Sequence, residues 1–307
     1  MLKLPKPIYK YISTRNSNLF IVGLITFSFP KTFVKSIYQH NKNRDLWSGK
    51  KACFTLSFDC DYPDDVTEIP NIVEMMKKRN FKASFASVGH WIEKYPDQHK
   101  VAIDEGHEIM NHTYSHPDNE LINPGRKFKE ISREEKIEEV TRCHEICENI
   151  LGYTPTGLRI PHFKNLFTDE IYSILSELNY KYSSSTWLTN TTTSGLPFEA
   201  PNNIIEFPLS TCPKHPFTVF DTWHSLNAER LSHRLIHRGC DSYLELFKDL
   251  INYGKETGSY INIYIDPLDV PNIPGFDKML DLLSDDELEV VTYEEYLERG
   301  MHIEKGA

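Results

Sequence analysis

From residue 52 to residue 298, short apolar runs alternate with amphipathic helical stretches, and that alternation limits the possible folds more than any other feature of the chain. ACFTLSFD (52–59), KASFASVG (82–89), HEIMNHT (107–113), TGLRIP (156–161), KYSSSTW (181–187), NIIEFPLS (203–210) and SYINIYIDP (259–267) read as strands, with ELEVV (287–291) as a short eighth. Between them, DDVTEIPNIVEMMKKR opens on acids and closes on bases, which suits the helix dipole. SREEKIEEVTRCHEICENILG (132–152) reads as a long amphipathic helix stopped by Gly152. TDEIYSILSELNY is a further helix, and two helical segments lie between about residue 225 and Gly258. Strands separated by helices imply a parallel sheet. Seven or eight such units in about 250 residues predict a closed or nearly closed β/α barrel, whose chemistry lies where the strands end.

The strand ends carry the titratable residues. The first ends in SFDCDYPDD, and Asp59 and Asp61, two apart, share one face of an ideal strand. The third ends in GHEIMNHTYSHP, with His112 and His116 four apart. Residues at that spacing share one side of a helical turn. Two neutral imidazoles there can hold one divalent cation, completed by a carboxylate from a neighbouring strand, with positions left open for water and substrate. A second, unligated carboxylate beside them could take a proton. Asp61 and Asp59 fit these two roles. A bare histidine pair at this spacing also occurs as a helix-surface feature, so the paired aspartates upstream strengthen the metal reading. The fourth strand ends in Arg159 and His162, the fifth in Trp187, and the seventh in Asp266 and Asp269.

LSFDCD, GHEIMNHTYSH and LRIP, in that order, resemble the NodB-homology polysaccharide deacetylases (carbohydrate esterase family 4) over roughly residues 52 to 295. The resemblance implies a distorted (β/α)7 barrel that removes acetyl groups from sugars, or opens small cyclic amides, with one divalent metal, zinc first. It implies Asp59 as catalytic base, Asp61, His112 and His116 as metal ligands, and Arg159 as the group orienting the base. His162 stands where the family carries a Tyr whose backbone N–H helps hold the oxyanion, and Trp187 matches a wall of the substrate groove. Two motifs depart from the pattern. Ser183 and Thr186 replace the acids of the fourth motif, DxxDW, and Asp266 replaces the general-acid His of the fifth. Asp266 is the first candidate for the missing acid, His162 the second and His224 a distant third. The expected activity is metal-dependent deacetylation of a sugar in a polysaccharide or glycan intermediate. A non-catalytic glycan-binding barrel and a hydrolase of a small cyclic amide are the alternatives.

Charge and cysteine usage bear on partners. Residues 1–51 hold ten Lys/Arg against Asp45 alone, so a net charge of -10 for the 307-residue chain conceals a leader of +9 on a body of -19. The acidic body argues against nucleic acid as a partner. The basic leader surrounds LFIVGLITFSF (19–29), which is too short to span a bilayer, and residues 1–45 are expected to touch an anionic membrane surface peripherally. Packing of 19–29 on the barrel and an export signal are the other readings of that run. Six scattered cysteines without a CxxC pair read as buried free thiols, which favours a cytoplasmic protein held on the inner face of the membrane. The expected organisation is an extension over 1–51, a barrel over 52–300 and a tail over 301–307. The sequence leaves the oligomeric state open.

Overall fold

The computed structural model describes residues 28–162, 169–222 and 240–306. Its elements in chain order are α1 (Pro30–Tyr38), β1 (Ala52–Cys60), α2 (Pro63–Lys77), β2 (Ser84–Ser87), α3 (Gly89–Lys94), α4 (Pro96–Asp104), β3 (Glu108–Asn111), α5 (Arg133–Ile146), β4 (Gly157–Leu158), α6 (Asp169–Glu177), β5 (Tyr182–Ser183), β6 (Phe198–Glu199), β7 (Ile205–Glu206), β8 (Thr211–Cys212), β9 (His215–Val219), α7 (Cys240–Thr257), β10 (Tyr260–Ile265), α8 (Phe276–Leu283), β11 (Leu288–Val290) and α9 (Tyr293–Glu298). Seven of the strands run parallel in the order β10-β1-β2-β3-β4-β5-β7. β11 pairs with the first residues of β1, and β6 returns antiparallel along β7. The sheet curls, and the Ser210 N–H reaches the Asn262 carbonyl of β10 at 2.7 Å across the gap. This is the nearly closed β/α barrel that the alternating pattern predicts, in the distorted (β/α)7 form that the resemblance implies.

β1 fixes the interior. All nine of its residues are buried, because helices cover one face and the barrel lumen the other. Phe54, Leu56, Phe58 and Cys60 point outward into the main apolar core with Val66, Ile69 and Val73 of α2. The alternate residues Thr55, Ser57 and Asp59 turn inward, where the Tyr260 hydroxyl meets Thr55 and the guanidinium of Arg159 meets Ser57 and Asp59. The lumen around Arg159 is therefore polar and internally bonded, beside a buried cluster that includes Met110, Tyr182, Phe207, Tyr260 and Tyr293. At the end of the barrel opposite the strand termini, the Glu108 carboxylate accepts from Ser84, Tyr182 and the Tyr293 N–H.

α1 buries Phe33, Val34, Ile37 and Tyr38 against the barrel. The Tyr38 hydroxyl donates to Ser210 Oγ at 2.9 Å, and the Asn41 amide donates to the Ser194 carbonyl and to Ser259 Oγ, each at 3.0 Å. Residues 30–41 are thus seated on the body of the protein. The apolar run 19–29 lies outside the described residues except for Ser28 and Phe29, the latter 67% exposed. No helix among the described residues is long and apolar enough to cross a membrane. Cys53, Cys60, Cys143 and Cys147 are buried and free, and Cys212 is buried. The β8–β9 hairpin answers to no expected strand. Its segment, TCPKHPFTV, holds two prolines in nine residues, which masks its strand character in sequence.

His99 in α4 is fully buried; its Nδ1 donates to the Tyr95 carbonyl at 2.9 Å and its Nε2 has no partner. Burial lowers its pKa from 6.5 to about 4. Its contribution to stability is present above the unfolded value and lost as pH falls through the folded one. Acidification from pH 7 to 4 is expected to remove up to about 3 kcal/mol through this residue. His99→Leu should lose correspondingly less over the same range in urea titrations, and parallel losses in the two proteins would refute the assignment.

Candidate metal and active site

The end of β1 and the loop after β3 meet at one point. His112 Nε2 lies 3.0 Å from Asp61 Oδ1, and His116 Nε2 lies 3.3 Å from Asp61 Oδ2. The two imidazoles stand at 68° with centroids 4.9 Å apart. Their spacing does not come from a helical turn, as the sequence suggested. β3 ends at Asn111, and Thr113 and His116 both adopt positive φ, 65° and 48°. An irregular loop with two left-handed residues turns both rings onto Asp61. Side-chain bonds hold that conformation. Asn111 donates to the Val140 carbonyl at 2.8 Å and the Tyr180 hydroxyl at 2.7 Å, and its Oδ1 accepts the Thr113 N–H at 2.8 Å. Glu139 of α5 accepts from the Ser115 N–H at 2.8 Å and from its hydroxyl at 2.6 Å.

The donor set fits a cation. His112 Nδ1 lies 2.7 Å from the Arg159 carbonyl and must donate to it, so in the neutral ring Nε2 carries a lone pair aimed at a carboxylate oxygen. Two acceptors 3.0 Å apart repel unless a positive charge lies between them. Asp61 Oδ1 is buried with no hydrogen-bond donor. Two imidazoles and one carboxylate within 4.8 Å of one another suit a borderline-soft divalent ion, and they form the only such cluster among the described residues. Burial alone would raise Asp61, but His116 and His112 hold it well below the usual carboxylate range.

Asp59 is 2% exposed and bound by Arg159 Nη1. Arg159 is wholly buried, and its other contacts fix the plane of the guanidinium: Nε to the Ser184 carbonyl at 3.1 Å, Nη1 to Ser57 Oγ at 2.9 Å, and Nη2 to Ser184 Oγ at 3.0 Å and the Tyr293 hydroxyl at 2.6 Å. Burial lifts the Asp59 pKa above its ordinary value even though Arg159 and His112 oppose the shift. Asp59 is therefore a held, unligated carboxylate beside the triad and more basic than a free one.

The remaining candidates flank this centre. His162 packs its ring at 70° to His116 with centroids 4.8 Å apart, adopts φ 60°, and leaves Nε2 buried without a partner. Burial and the neighbouring His116 lower its pKa to about 4, so it is neutral at ordinary pH. Asp266, 8% exposed, takes a 2.9 Å bond from Thr222 Oγ1, which in return accepts the Asp266 N–H at 2.9 Å. Burial, then Asp65, Asp221, Asp61 and Asp59, raise its pKa well above the ordinary carboxylate value. Trp187, half-buried, packs on the Leu209–Tyr264 cluster with its Nε1 unpaired. His224 lies outside the described residues.

Three contributors escape a strand-end reading. Glu206 of β7, fully buried, accepts the Ser185 and Thr186 N–H groups at 2.7 and 2.8 Å, so a carboxylate from the adjacent strand occupies the ground left by Ser183 and Thr186. A lone acid in NIIEFPLS was its only sequence signal. Thr222 had none. Asp65 had one, since it is the second of the two acids that open the expected helix DDVTEIPNIVEMMKKR.

Residues 48–183 match the sequence model of the polysaccharide deacetylase family. Through this segment, the chain is similar to the polysaccharide deacetylases. A peptidoglycan-N-acetylglucosamine deacetylase from Bacillus cereus is 35% identical over 112 residues, 36% of this chain and 37% of the relative. A peptidoglycan deacetylase from Helicobacter pylori is 27% identical over 133 residues, 41% of this chain and 42% of the relative. The chain thus spans about two fifths of the length of these curated relatives. Among solved structures, a protein from Mycobacterium smegmatis assigned to the polysaccharide deacetylases superimposes with a TM-score of 0.69 at 15% identity, covering 86% of this chain and 96% of the other. That likeness is one of fold. The family segment takes in β1 to β5 and therefore the triad, Asp59 and Arg159, while Asp266 and Thr222 lie beyond it.

Proposed function

We propose that this protein is a polysaccharide deacetylase, a metal-dependent hydrolase that removes N-acetyl groups from an amino sugar of a glycan. The observation that carries the reading is the convergence of two imidazoles on Asp61, with Asp59 held next to them by Arg159. A divalent ion, zinc first, held by Asp61, His112 and His116 would polarise the acetyl carbonyl and acidify water at neutral pH. Asp59 takes the proton of the attacking water. The buried, carbonyl-anchored ring of His112 and the loop bonds at Asn111 and Glu139 keep the ligands in place without substrate. His162, neutral and unpartnered at Nε2, offers a hydrogen bond to the acyl or sugar oxygen. Trp187 supplies an apolar wall for the acetyl group. When the C–N bond breaks, the amine needs a proton, and Asp266, whose pKa burial and the neighbouring acids raise, is the group assigned to donate it. Products are acetate and a free amino sugar.

Acetate release from acetylated chito-oligomers, with and without a chelator, tests the activity. Release that stops on chelation and returns with zinc is expected. Asp266→Asn should reduce kcat by about 10²–10⁴-fold, and an unchanged kcat would move the acid role to His162. A barrel that only binds glycan would release no acetate in any arm. We also place the protein in a thiol-reducing compartment against an anionic membrane. The buried free thiols of Cys53, Cys60, Cys143 and Cys147 support the first part and the cationic residues of 1–51 the second. Flotation with anionic vesicles, with and without residues 1–27, tests the membrane contact.

A further inference from the structure

Asp65 lies outside the ligand set and makes no contact that the mechanism above requires. It is 1% exposed, and its carboxylate is fully engaged. Oδ2 accepts the N–H groups of Asp61 at 3.1 Å and Tyr62 at 2.9 Å, and Oδ1 accepts the Leu268 N–H at 3.0 Å. The first two bonds are local and belong to the start of α2. The third crosses 203 residues to the segment that follows Asp266 and Pro267. One carboxylate thus joins the backbone of the metal-ligand residue to the backbone two residues past the acid. The other side of Asp61 is fixed as well: its carbonyl accepts the Trp91 indole N–H at 2.7 Å and the Asn119 amide at 2.9 Å. Asn119 in turn donates its own N–H to the His116 carbonyl at 2.8 Å.

We propose that Asp65 is a positioning residue that clamps the Asp61 segment to the Asp266 segment, and so sets both the metal affinity of the triad and the reach of the acid. Helix capping alone needs only the Tyr62 bond. The Leu268 bond adds nothing to a cap, and its position makes sense only if the two strand ends must keep a fixed separation. Carboxylates that orient ligands through such outer bonds typically change metal affinity 10–100-fold when removed.

The inference rests on the reading of Asp61 as ligand and Asp266 as acid, and two variants of the full chain test it. Asp65→Asn keeps the shape but puts an amide N–H where one backbone donor needs an acceptor. Its zinc affinity, measured by competition with a chromogenic chelator, should fall about 10–100-fold, and its kcat should fall at least as far with KM nearly constant. Leu268→Pro removes only the long-range donor; Pro267 already precedes it in a helical turn, where proline is tolerated. It should bind zinc like the parent yet lose kcat. Parental zinc affinity and kcat in Asp65→Asn, with only a lower melting temperature, would reduce Asp65 to a helix cap and overturn the proposal. If Asp65→Asn does not fold, an unchanged kcat in Leu268→Pro overturns it. Should the parent itself release no acetate, the functional reading fails, while zinc titrations of the two variants still decide the clamp: equal affinity in parent and Asp65→Asn sinks it.

Discussion

Asp59→Asn should release acetate about 10²–10⁴-fold more slowly than the parent while retaining its full complement of metal. Two carboxylates two residues apart face different partners. Asp61 faces both imidazoles, so these three groups would hold an ion without help from Asp59. Asp59 instead faces Arg159, and its pKa is raised by burial, which makes it a better proton acceptor than an exposed aspartate. Asparagine keeps the volume and an oxygen for Arg159, yet cannot take up a proton. Loss of turnover with unchanged zinc stoichiometry identifies a base; loss of both identifies a ligand. Turnover equal to the parent would remove Asp59 from the mechanism.

The shared face of those two aspartates was legible in the sequence because a strand has a period of two, whereas their separate roles were implied by the family resemblance. Asp59 and Asp61 had to share a face, and β1 places Ser57 and Asp59 in the lumen with Asp61 continuing the same direction. The β-branched run of β10 and the acid-to-base gradient of α2 were equally plain. The histidine loop was legible in composition but not in conformation. A four-residue spacing suggests a helical turn, whereas the chain reaches the same convergence through two left-handed residues that Asn111 and Glu139 support from a distance. Local spacing cannot encode those supports, because Glu139 lies 24 residues beyond Ser115. Glu206 makes the same point. The fourth motif looks emptied of charge when read along its own strand, and the carboxylate appears only when β7 is laid beside β5. Substitutions that look like losses in one segment can therefore be relocations to a neighbour, and only strand order reveals them.

Arg159→Leu is expected to be the most destabilising single change in the barrel interior. Arg159 is 0% exposed, and its guanidinium satisfies Asp59, Ser57, Ser184 and Tyr293 together. Removing one partner of a buried ion pair leaves the other uncompensated, at a cost of about 3–5 kcal/mol. The Tyr293 hydroxyl keeps its bond to Asn262 Oδ1 at 2.7 Å, and Ser57 Oγ keeps its bond to the Ile263 carbonyl at 3.0 Å, so those donors stay satisfied. The ionised Asp59 is the group left exposed to the low-dielectric lumen, and its pKa must rise further. Adding Asp59→Asn to Arg159→Leu should therefore recover part of the loss, giving a coupling of about 0.5–3 kcal/mol by denaturant titration of the four proteins in the cycle. Strict additivity would mean that the lumen tolerates an unpaired carboxylate, and that Arg159 acts through shape rather than charge. The double variant should regain stability without regaining turnover, since neither substitution restores a proton acceptor. That divergence between stability and activity distinguishes a buried pair kept for chemistry from one kept for folding.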